Sequence, residues 1–391
     1  MKVKSNVPVF PSKSLNQQLI ELAEYFKNEL KGDIGVPDED DQSEMILTIF
    51  SLVESSHLAL KAPQESQCES LLNGILTCVL CFELPEETRE KLIHNFANKL
   101  ADTSEADGGL KYAGARLKVL STLFYGMNED SAVRFTPYCR LVELATASSY
   151  LHRVPTDPSK VREWIKAWKL DNSNIRILWR VLHASLMKSG DNTKASRVMV
   201  ELLKTFSLET ANEAKEEAVR CVRDAIADPY AVSLDHLLHL KPVQHLRGQA
   251  LYQLLEIFVS GNVADYMRFY SQHRDAVDRT DLLHEANLRK IRLLTFLKMC
   301  RGHQVITHDE IEKELMLPPA EVEDFLIDAL KTRLISGKID AAQRRFRVTT
   351  CVEPSFSKAK WIELRDGLSQ WQSQVRHMKR MLATVTNPDQ A

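Results

Sequence analysis

The chain has 391 residues, and its 51 lysines and arginines against 53 aspartates and glutamates give a formal net charge of -2. That balance excludes a chain built throughout as a polyanion binder, although it is compatible with a local basic face. The 13 glycines and 14 prolines are too few for an all-β protein, in which turns recur about every 8–12 residues. The length predicts about two or three domains.

Cysteine usage and hydropathy bear on the compartment. Seven cysteines, an odd number spread from Cys68 to Cys351, favour a reducing compartment over a disulfide framework. The longest uncharged stretch, residues 70–82, is shorter than the roughly 18 residues of a membrane span. The first ten residues have no apolar core and do not form a secretory signal. We expect a cytoplasmic protein without a membrane segment.

Apolar residues at spacings of three and four dominate the first 300 residues, which is typical of amphipathic helices. One face of the first helix carries Leu15, Leu19, Leu22, Phe26 and Leu30. Further helices are predicted at 92–100, 110–125, 132–147, 159–168, 173–189, 192–206, 210–227, 249–259, 263–272 and 281–301. Short amphipathic helices in succession bury their apolar faces by stacking in pairs, so we predict a helical-repeat solenoid.

One stretch interrupts the mixture of acidic and basic residues. Residues 32–60 contain seven acids and no lysine or arginine, with residues 37–41 at the centre. We interpret this stretch as a solvated loop between two helices. An acidic docking site is the alternative, because a block of like charge can also attract a basic partner.

The pattern changes near residue 300. Val305–Thr307 is short and β-branched, residues 308–315 are predicted to form a helix capped by Thr307 or His308, and Pro318 and Pro319 open a second helix. Two strands, 334–340 and 346–351, follow around a five-residue turn. A strand, two helices and a hairpin form the element order of a winged helix.

The last segment has the clearest periodicity. Its apolar residues alternate between spacings of three and four over more than three heptads, at Trp361, Leu364, Leu368, Trp371, Val375, Met378, Leu382 and Val385. We call this set the seam. Such a narrow apolar face requires another helical surface. The helix could fold back on its own winged helix, but its length of about 35–38 Å would overhang so small a domain. We favour a bundle with helices of partner chains.

Motifs for catalysis or metal binding are weak. Cys78 and Cys81 form a CxxC motif without the second Cys or His pair that zinc requires, and their apolar surroundings predict buried helix cysteines. The three histidines of the 236–245 region, His236, His239 and His245, have no cysteine nearby and are interpreted as surface or interface residues. We therefore predict no catalytic, cofactor-binding or metal-binding residues.

The sequence also lacks a complete zincin motif and the motifs of the common nucleotide-binding loops. His284 and Glu285 begin an HExxH pattern, but Leu288 stands where the second histidine is needed. No GxGxxG, GxxxxGK[ST] or GxSxG motif occurs in the sequence. The chain therefore lacks the local sequence patterns of the common phosphate-binding and hydrolytic sites.

The charges of the predicted winged helix are unfavourable for binding DNA. Its second helix, which would enter the major groove, carries Glu321, Glu323, Asp324 and Asp328 against Lys331 and Arg333. Acidic side chains repel phosphate, so this module is predicted to dock protein instead. A weaker option is RNA contact by the basic residues of the hairpin, Lys338, Arg344, Arg345 and Arg347. The simpler interpretation of that cluster is a solvated basic face.

Helical repeats followed by a winged helix and a trailing helix resemble the PCI-domain proteins, which are scaffold subunits of the proteasome lid, the signalosome and the translation initiation factor three complex. The local sequences at 115–127, 196–203, 235–243, 282–288, 292–296, 322–329 and 338–340 are similar to initiation-factor members of that family. The resemblance extends over most of residues 109–371 and is fainter before them. Metalloprotease-like MPN relatives in such complexes carry a His-x-His motif, which this sequence lacks.

The resemblance implies a right-handed helical-repeat (TPR/HEAT-like) solenoid, a winged helix and a long C-terminal helix. It divides the chain into an N-terminal helical region with the acidic loop (1–108), a solenoid (109–300, with the PCI helical part from about 180), a winged helix (301–352) and a C-terminal helix and tail (353–391). In the family, winged helices associate through their β-edges and C-terminal helices gather into a bundle.

The implied function is a non-catalytic scaffold subunit of the initiation factor complex that supports 43S assembly and mRNA recruitment. Its implied partners are other PCI and MPN subunits and, through the complex, the small ribosomal subunit. We assign partner binding to the seam up to Leu382 and to a strand edge containing Phe346, Val348 and Thr350. A proteasome-lid or signalosome scaffold and an RNA-contacting adaptor are the alternatives.

Overall fold

The computed structural model describes residues 14–39, 41–104, 109–274, 282–301, 303–352 and 358–386. The chain divides into two units, Met1–Thr205 and Phe206–Ala391. Nine α-helices are described in the first unit: α1 Leu15–Asn28, α2 Gln42–Glu54, α3 Glu65–Cys81, α4 Glu86–Ala101, α5 Ala113–Gly126, α6 Phe135–Ala147, α7 Pro158–Trp168, α8 Asn172–Ser189 and α9 Asn192–Lys204. A single turn of 3-10 helix precedes α6 at Ala132–Arg134.

The second unit contains helices and the strands of one small sheet. Its described helices are α10 Lys215–Ala227, α11 Lys241–Gln244, α12 Ala250–Ser260, α13 Val263–Gln272, α14 His284–Met299, α15 His308–Leu315, α16 Val322–Lys331 and α17 Lys358–Thr386. Its described strands are β1 Val305–Thr307, β2 Ile335–Asp340 and β3 Arg345–Cys351. The order from β1 to β3 confirms the predicted winged helix.

Helices of the first unit stack in the manner of helical repeats. Helix α1 packs on α3, α2 on α4, α3 on α5, α4 on α6 and α6 on α8, and consecutive helices also pack, as α5 does on α6 and α8 on α9. The contacts are apolar: Leu92, Ile93 and Phe96 on α4 are fully buried. Burial of the apolar stripe of each helix by the next pair stabilises this arrangement. The predicted class, helical repeats with a winged helix, is confirmed.

The acidic stretch differs from the prediction, because its second half is helix α2. Residues 31–39 form the loop, and Asp41 then caps the helix: its Oδ1 accepts hydrogen bonds from the backbone N–H groups of Ser43 (2.8 Å) and Glu44 (3.3 Å). A carboxylate at this position satisfies N–H groups that have no partner within the helix. Asp41 therefore begins a helix that the sequence interpretation placed in a loop.

A buried arginine ties together the chain around α4 and α5. Arg116 is 1% exposed, and its guanidinium donates to the backbone oxygens of Leu100 (2.7 Å) and Gly109 (2.7 Å). A further hydrogen bond goes to the backbone oxygen of Asp102. A buried charge is tolerated only when its donors are satisfied, so these carbonyls fix the connection between the two helices.

Two contacts that stabilise the winged helix are a capping box at the start of α15 and an aromatic contact between β3 and α14. Thr307 and Glu310 form a capping box at the start of α15, with the Thr307 N–H donating to Glu310 Oε2 at 2.9 Å. Those hydrogen bonds from Thr307 lower the pKa of Glu310. The ring of Phe346 on β3 is fully buried and lies 5.5 Å from that of Phe296 on α14. The sheet is thereby packed against the helix that precedes it.

Candidate protein-interaction surfaces

The seam on α17 is exposed along its whole described length. Leu364 and Val375 are 45% and 47% exposed, and Trp371 is 66% exposed. Every described side chain from 361 to 382 is exposed, on the polar faces as well as on the seam. The side chain of Val385 lies outside the described residues. The helix therefore does not bury its seam on its own winged helix, as the fold-back alternative required.

The seam is long enough to form a heptad interface. Helix α17 has 29 residues, and at about 1.5 Å per residue this corresponds to roughly 43 Å. Side chains spaced alternately three and four apart lie along one stripe of such a helix. Its seam carries two tryptophans, Trp361 and Trp371, of the type that contributes most to binding energy at interfaces. The stripe thus fits a helical partner surface.

The predicted edge strand is wrong, because β3 is the middle strand. The sheet order is β1-β3-β2, and both neighbours pair antiparallel with β3. Phe346 pairs with Ile306 on one side and with Ile339 on the other. Over residues 345–347, where both neighbours pair with β3, the strand has no open N–H and C=O row with which to pair another chain.

The side chains of β3 fit that central position. Phe346 is fully buried, Val348 is half-buried and Thr350 is exposed. Of these three predicted partner-binding residues, Phe346 belongs to the core of the winged helix. The outer sides of the sheet are instead β1, which has three residues, and β2, which has six.

The backbone of strand β2 approaches strand β3 closely at Gly337. Its register shifts between Ser336 and Gly337, and a Cβ at Gly337 would lie 2.4 Å from Phe346 Cζ and 2.6 Å from the backbone oxygen of Arg347. Only a glycine allows this close approach without displacement of β3.

Three of the four basic hairpin residues share one face of the sheet. Arg345 and Arg347 alternate with the buried Phe346 along β3, and Lys338 on β2 lies directly across from Arg347. All three are exposed. Asp340, which pairs with Arg345, adds one acid to this face. We call Lys338, Arg345 and Arg347 the basic sheet face.

Arg344 is engaged elsewhere. It occupies the turn between β2 and β3 with φ of +46°, and its Nη2 lies 2.7 Å from Glu312 Oε1 and 3.7 Å from Asp309 Oδ1 on α15. Its charge is therefore directed at two acids of the same winged helix.

The CxxC cysteines behave as apolar side chains. Both lie on α3; Cys78 is 1% exposed and Cys81 is half-buried. Burial raises the pKa of Cys78 to about 12 and also raises the pKa of Cys81, so both thiols are protonated near neutral pH. Across the residues that the structure describes, no group of three or more His, Cys, Asp or Glu residues could hold a metal ion.

The histidines have structural or surface positions. His236, His239 and His245 are exposed, the first two on a short 3-10 helix. The ring of His284 stacks on that of Tyr270 at 3.9 Å between centroids, and its Nδ1 lies 3.0 Å from the Tyr266 hydroxyl. His284 therefore contributes to packing at the start of α14.

Comparisons with known proteins agree with this geometry. A model of the PCI domain matches residues 265–350, which include α14 and most of the winged helix. Eukaryotic translation initiation factor 3 subunit M of Mus musculus is 34% identical over 382 residues, covering 98% of this chain and 100% of the relative. The chain belongs to the subunit M family of PCI-domain proteins.

Other members of the family are similar over the same length. Subunit M of Homo sapiens is 34% identical over 382 residues, with 98% of this chain and 100% of the relative covered. Subunit M of Danio rerio is 33% identical over 381 residues, with 97% and 99% covered. The predicted resemblance to initiation-factor members of the PCI family is therefore confirmed. No described helix combines the length and apolar character needed to cross a membrane.

Proposed function

We propose that this chain is a non-catalytic scaffold subunit of the eukaryotic translation initiation factor 3 complex in the cytoplasm. Its partners would be the other PCI and MPN subunits, and through them the small ribosomal subunit, so that it supports 43S assembly and mRNA recruitment. The proposal is supported by near full-length similarity to subunit M. The observation that carries the scaffold role is the exposed seam of α17.

The seam is proposed to enter a helical bundle with partner chains. Exposed apolar stripes of this length are unfavourable in water and favour association with a second apolar surface. Such an interface concentrates its binding energy in a few large anchors. We assign that role to Leu368 and Trp371, which lie at the middle of the described seam.

The double variant Leu368→Asp, Trp371→Ala tests the bundle. A carboxylate in a dry helical interface is unpaired and costs more than the lost contact alone, so we expect recovery of the variant with the complex to fall by about tenfold or more. The measurement is co-purification with tagged initiation factor subunits, with circular dichroism as the check on the fold. The matched control is Gln370→Ala, Gln372→Ala on the polar side of the same helix. Undiminished co-purification of the seam variant would reject the bundle.

The outer edge of β2 is the proposed site of strand pairing. It replaces the edge first assigned to β3, and with six residues it is longer than β1. Strand addition would join backbone N–H and C=O groups of β2 to a neighbouring winged helix. Hydrogen–deuterium exchange tests this: those backbone amides of Ile335–Asp340 that are directed away from β3 should become protected on assembly. Unchanged exchange of these amides in the assembled complex would contradict it.

RNA contact is the second candidate, and the basic sheet face is the observation that favours it. Lys338, Arg345 and Arg347 converge on one exposed face, and such a surface can neutralise phosphates. Replacement of all three by glutamate should then abolish ultraviolet crosslinking of RNA to this chain. Persistence of crosslinking after that replacement would reject the RNA-contacting role.

A further inference from the structure

A groove runs between α14 and α16 within the second unit. Its volume is about 860 Å³, and both helices contribute a wall. Apolar residues occur along its length: Tyr230, Leu283, Leu293, Leu317, Phe325 and Leu334. This site uses neither the seam of α17 nor the open strand edges, so it lies beyond the proposed scaffold contacts.

The mouth of the groove exposes large apolar side chains. Tyr230 is 80% exposed and Leu283 is 74% exposed. Phe325 is half-buried, and its ring lies 5.5 Å from that of Phe296 in the core below. A concave surface with an ordered aromatic floor and exposed apolar residues at its entrance is typical of a binding site.

The rim of the groove is acidic. Glu285 lies on α14, Asp324 and Asp328 lie on α16, and Glu321 lies just before it; all four are exposed. The only ion pair at these acids that the described structure gives is Asp328 with Lys331, and its side chains are 74% and 70% exposed. A pair so accessible to water contributes little to stability, and its lysine balances only one of the four acids of the rim.

Two of the three basic residues of the lining point their charges at backbone oxygens. Lys290 is 5% exposed, and its Nζ donates to the carbonyls of Ala225 (2.7 Å), Ile226 (3.1 Å) and Asp228 (2.6 Å). Arg292 donates to the carbonyls of Leu315 (3.1 Å) and Met316 (3.0 Å). The lining has four acids against three cations. All four acids are exposed, whereas among the lining cations Arg289 is exposed, Arg292 is half-buried and Lys290 is buried, so the exposed rim of the groove is net negative.

We propose that this groove binds a basic amphipathic segment of another protein. Apolar residues of the segment would enter between Leu283 and Phe325, while its lysines and arginines lie against Glu321 and Asp324. Charge complementarity selects this occupant: nucleic acid phosphates would be repelled by the rim, whereas cations gain from it and the apolar floor supplies the remaining contact.

Two synthetic probes test the proposal on the full chain. One is an amphipathic peptide of about 18 residues built from leucine and lysine, and the other has glutamate in place of lysine. Binding is followed by fluorescence anisotropy at low and high salt. We expect the lysine peptide to bind about tenfold more tightly than the glutamate peptide, with the difference shrinking as salt rises. Equal binding of the two peptides would overturn the proposal.

A matched pair of variants locates the binding. Asp324→Lys reverses a charge in the groove, whereas Glu323→Lys makes the same change on α16 outside the lining. We expect Asp324→Lys to lower the affinity for the lysine peptide about tenfold and Glu323→Lys to change that affinity by less than about twofold. An equal loss in both variants would mean that the peptide senses only overall charge, and would overturn the groove as its site.

Photo-crosslinking distinguishes the occupant. A p-benzoylphenylalanine placed at Leu283 in the full chain should crosslink the fluorescent lysine peptide. An excess of the same peptide without the fluorophore should suppress that crosslink. An intramolecular crosslink that the peptide does not displace would mean that a segment of this chain occupies the groove. A crosslinked dimer under the same conditions would mean that a second copy does. Either of those two results overturns the proposal of an external basic partner.

Discussion

Helices α4 and α17 carry the same kind of apolar pattern and have opposite environments. On α4, Leu92, Ile93 and Phe96 are fully buried against other helices of the first unit. On α17, Trp371 and Leu382 are 66% and 65% exposed. Spacings of three and four therefore specify an apolar stripe, and the fold of the rest of the chain determines whether that stripe is covered internally or left for another chain.

The largest expected effect comes from removing a buried side chain of α4. Phe96→Ala deletes a fully buried ring and leaves a cavity, so we expect it to lower the free energy of unfolding by about 3–5 kcal/mol. Urea denaturation of the isolated full chain, followed by circular dichroism, measures this loss.

Trp371→Ala on α17 is the matched comparison. Because the Trp371 side chain is exposed, its removal should change the same free energy by less than about 0.5 kcal/mol. A loss comparable to that of Phe96→Ala would break the comparison, since it would mean that α17 packs on its own chain in solution.

An effect smaller than that of Phe96→Ala is expected in the sheet of the winged helix. Gly337→Ala would place a Cβ 2.4 Å from Phe346 Cζ and 2.6 Å from the backbone oxygen of Arg347. One of the two strands must move, so we expect a loss of about 1–3 kcal/mol. The fall in melting temperature measures it, with Ser336→Ala at the exposed neighbouring position as control. Equal melting temperatures for the two variants would show that β2 and β3 are less tightly packed than the structure indicates.

The last expected effect is a pH dependence of stability from Lys290. Burial lowers its pKa to about 8, and the charge of Asp228 opposes this shift. In the unfolded chain this lysine has a pKa of about 10.4. Between about pH 8 and about pH 10.4 the unfolded state therefore binds more protons than the folded state. The free energy of unfolding must then rise with pH over that range. Relative to Lys290→Met, the free energy of unfolding of the wild type should increase by about 1–2 kcal/mol between pH 7.5 and 9.5. Urea titrations at both pH values measure this difference; a constant difference would contradict the lowered pKa.

Most helices and the winged helix could be predicted from the sequence, because their signals are local. Helix α13 and helix α15 have the predicted bounds, and Thr307 caps the latter as one of two expected residues. Helix α2 was missed because its acidic start resembled a loop. The signal that could have found it is Asp41 followed by Glu44 and then by Met45, Ile49 and Leu52 at helical spacing.

The candidate surfaces were less predictable. The seam was visible in the sequence, because its period is local, and its length favoured a bundle with partner chains, but only the structure shows that the seam is exposed on this chain. The position of β3 between β1 and β2 could not be derived from the order of strands along the chain, since pairing joins residues such as Ile306 and Phe346 that are far apart in sequence. The groove had no sequence signal, because its two walls come from separate helices, and because only the structure shows that Lys290 and Arg292 donate to backbone carbonyls.

The sequence by itself determined that this protein is built from amphipathic helices, that a winged helix follows them, and that the last helix carries a heptad seam. Hydrophobic periodicity, caps and turn residues act over a few positions and can be recognised without coordinates. Only the tertiary structure decided which stripe is buried, which strands form the edges and where acids surround an apolar groove. Those features depend on contacts between distant segments, where packing and charge balance, rather than local periodicity, select the outcome.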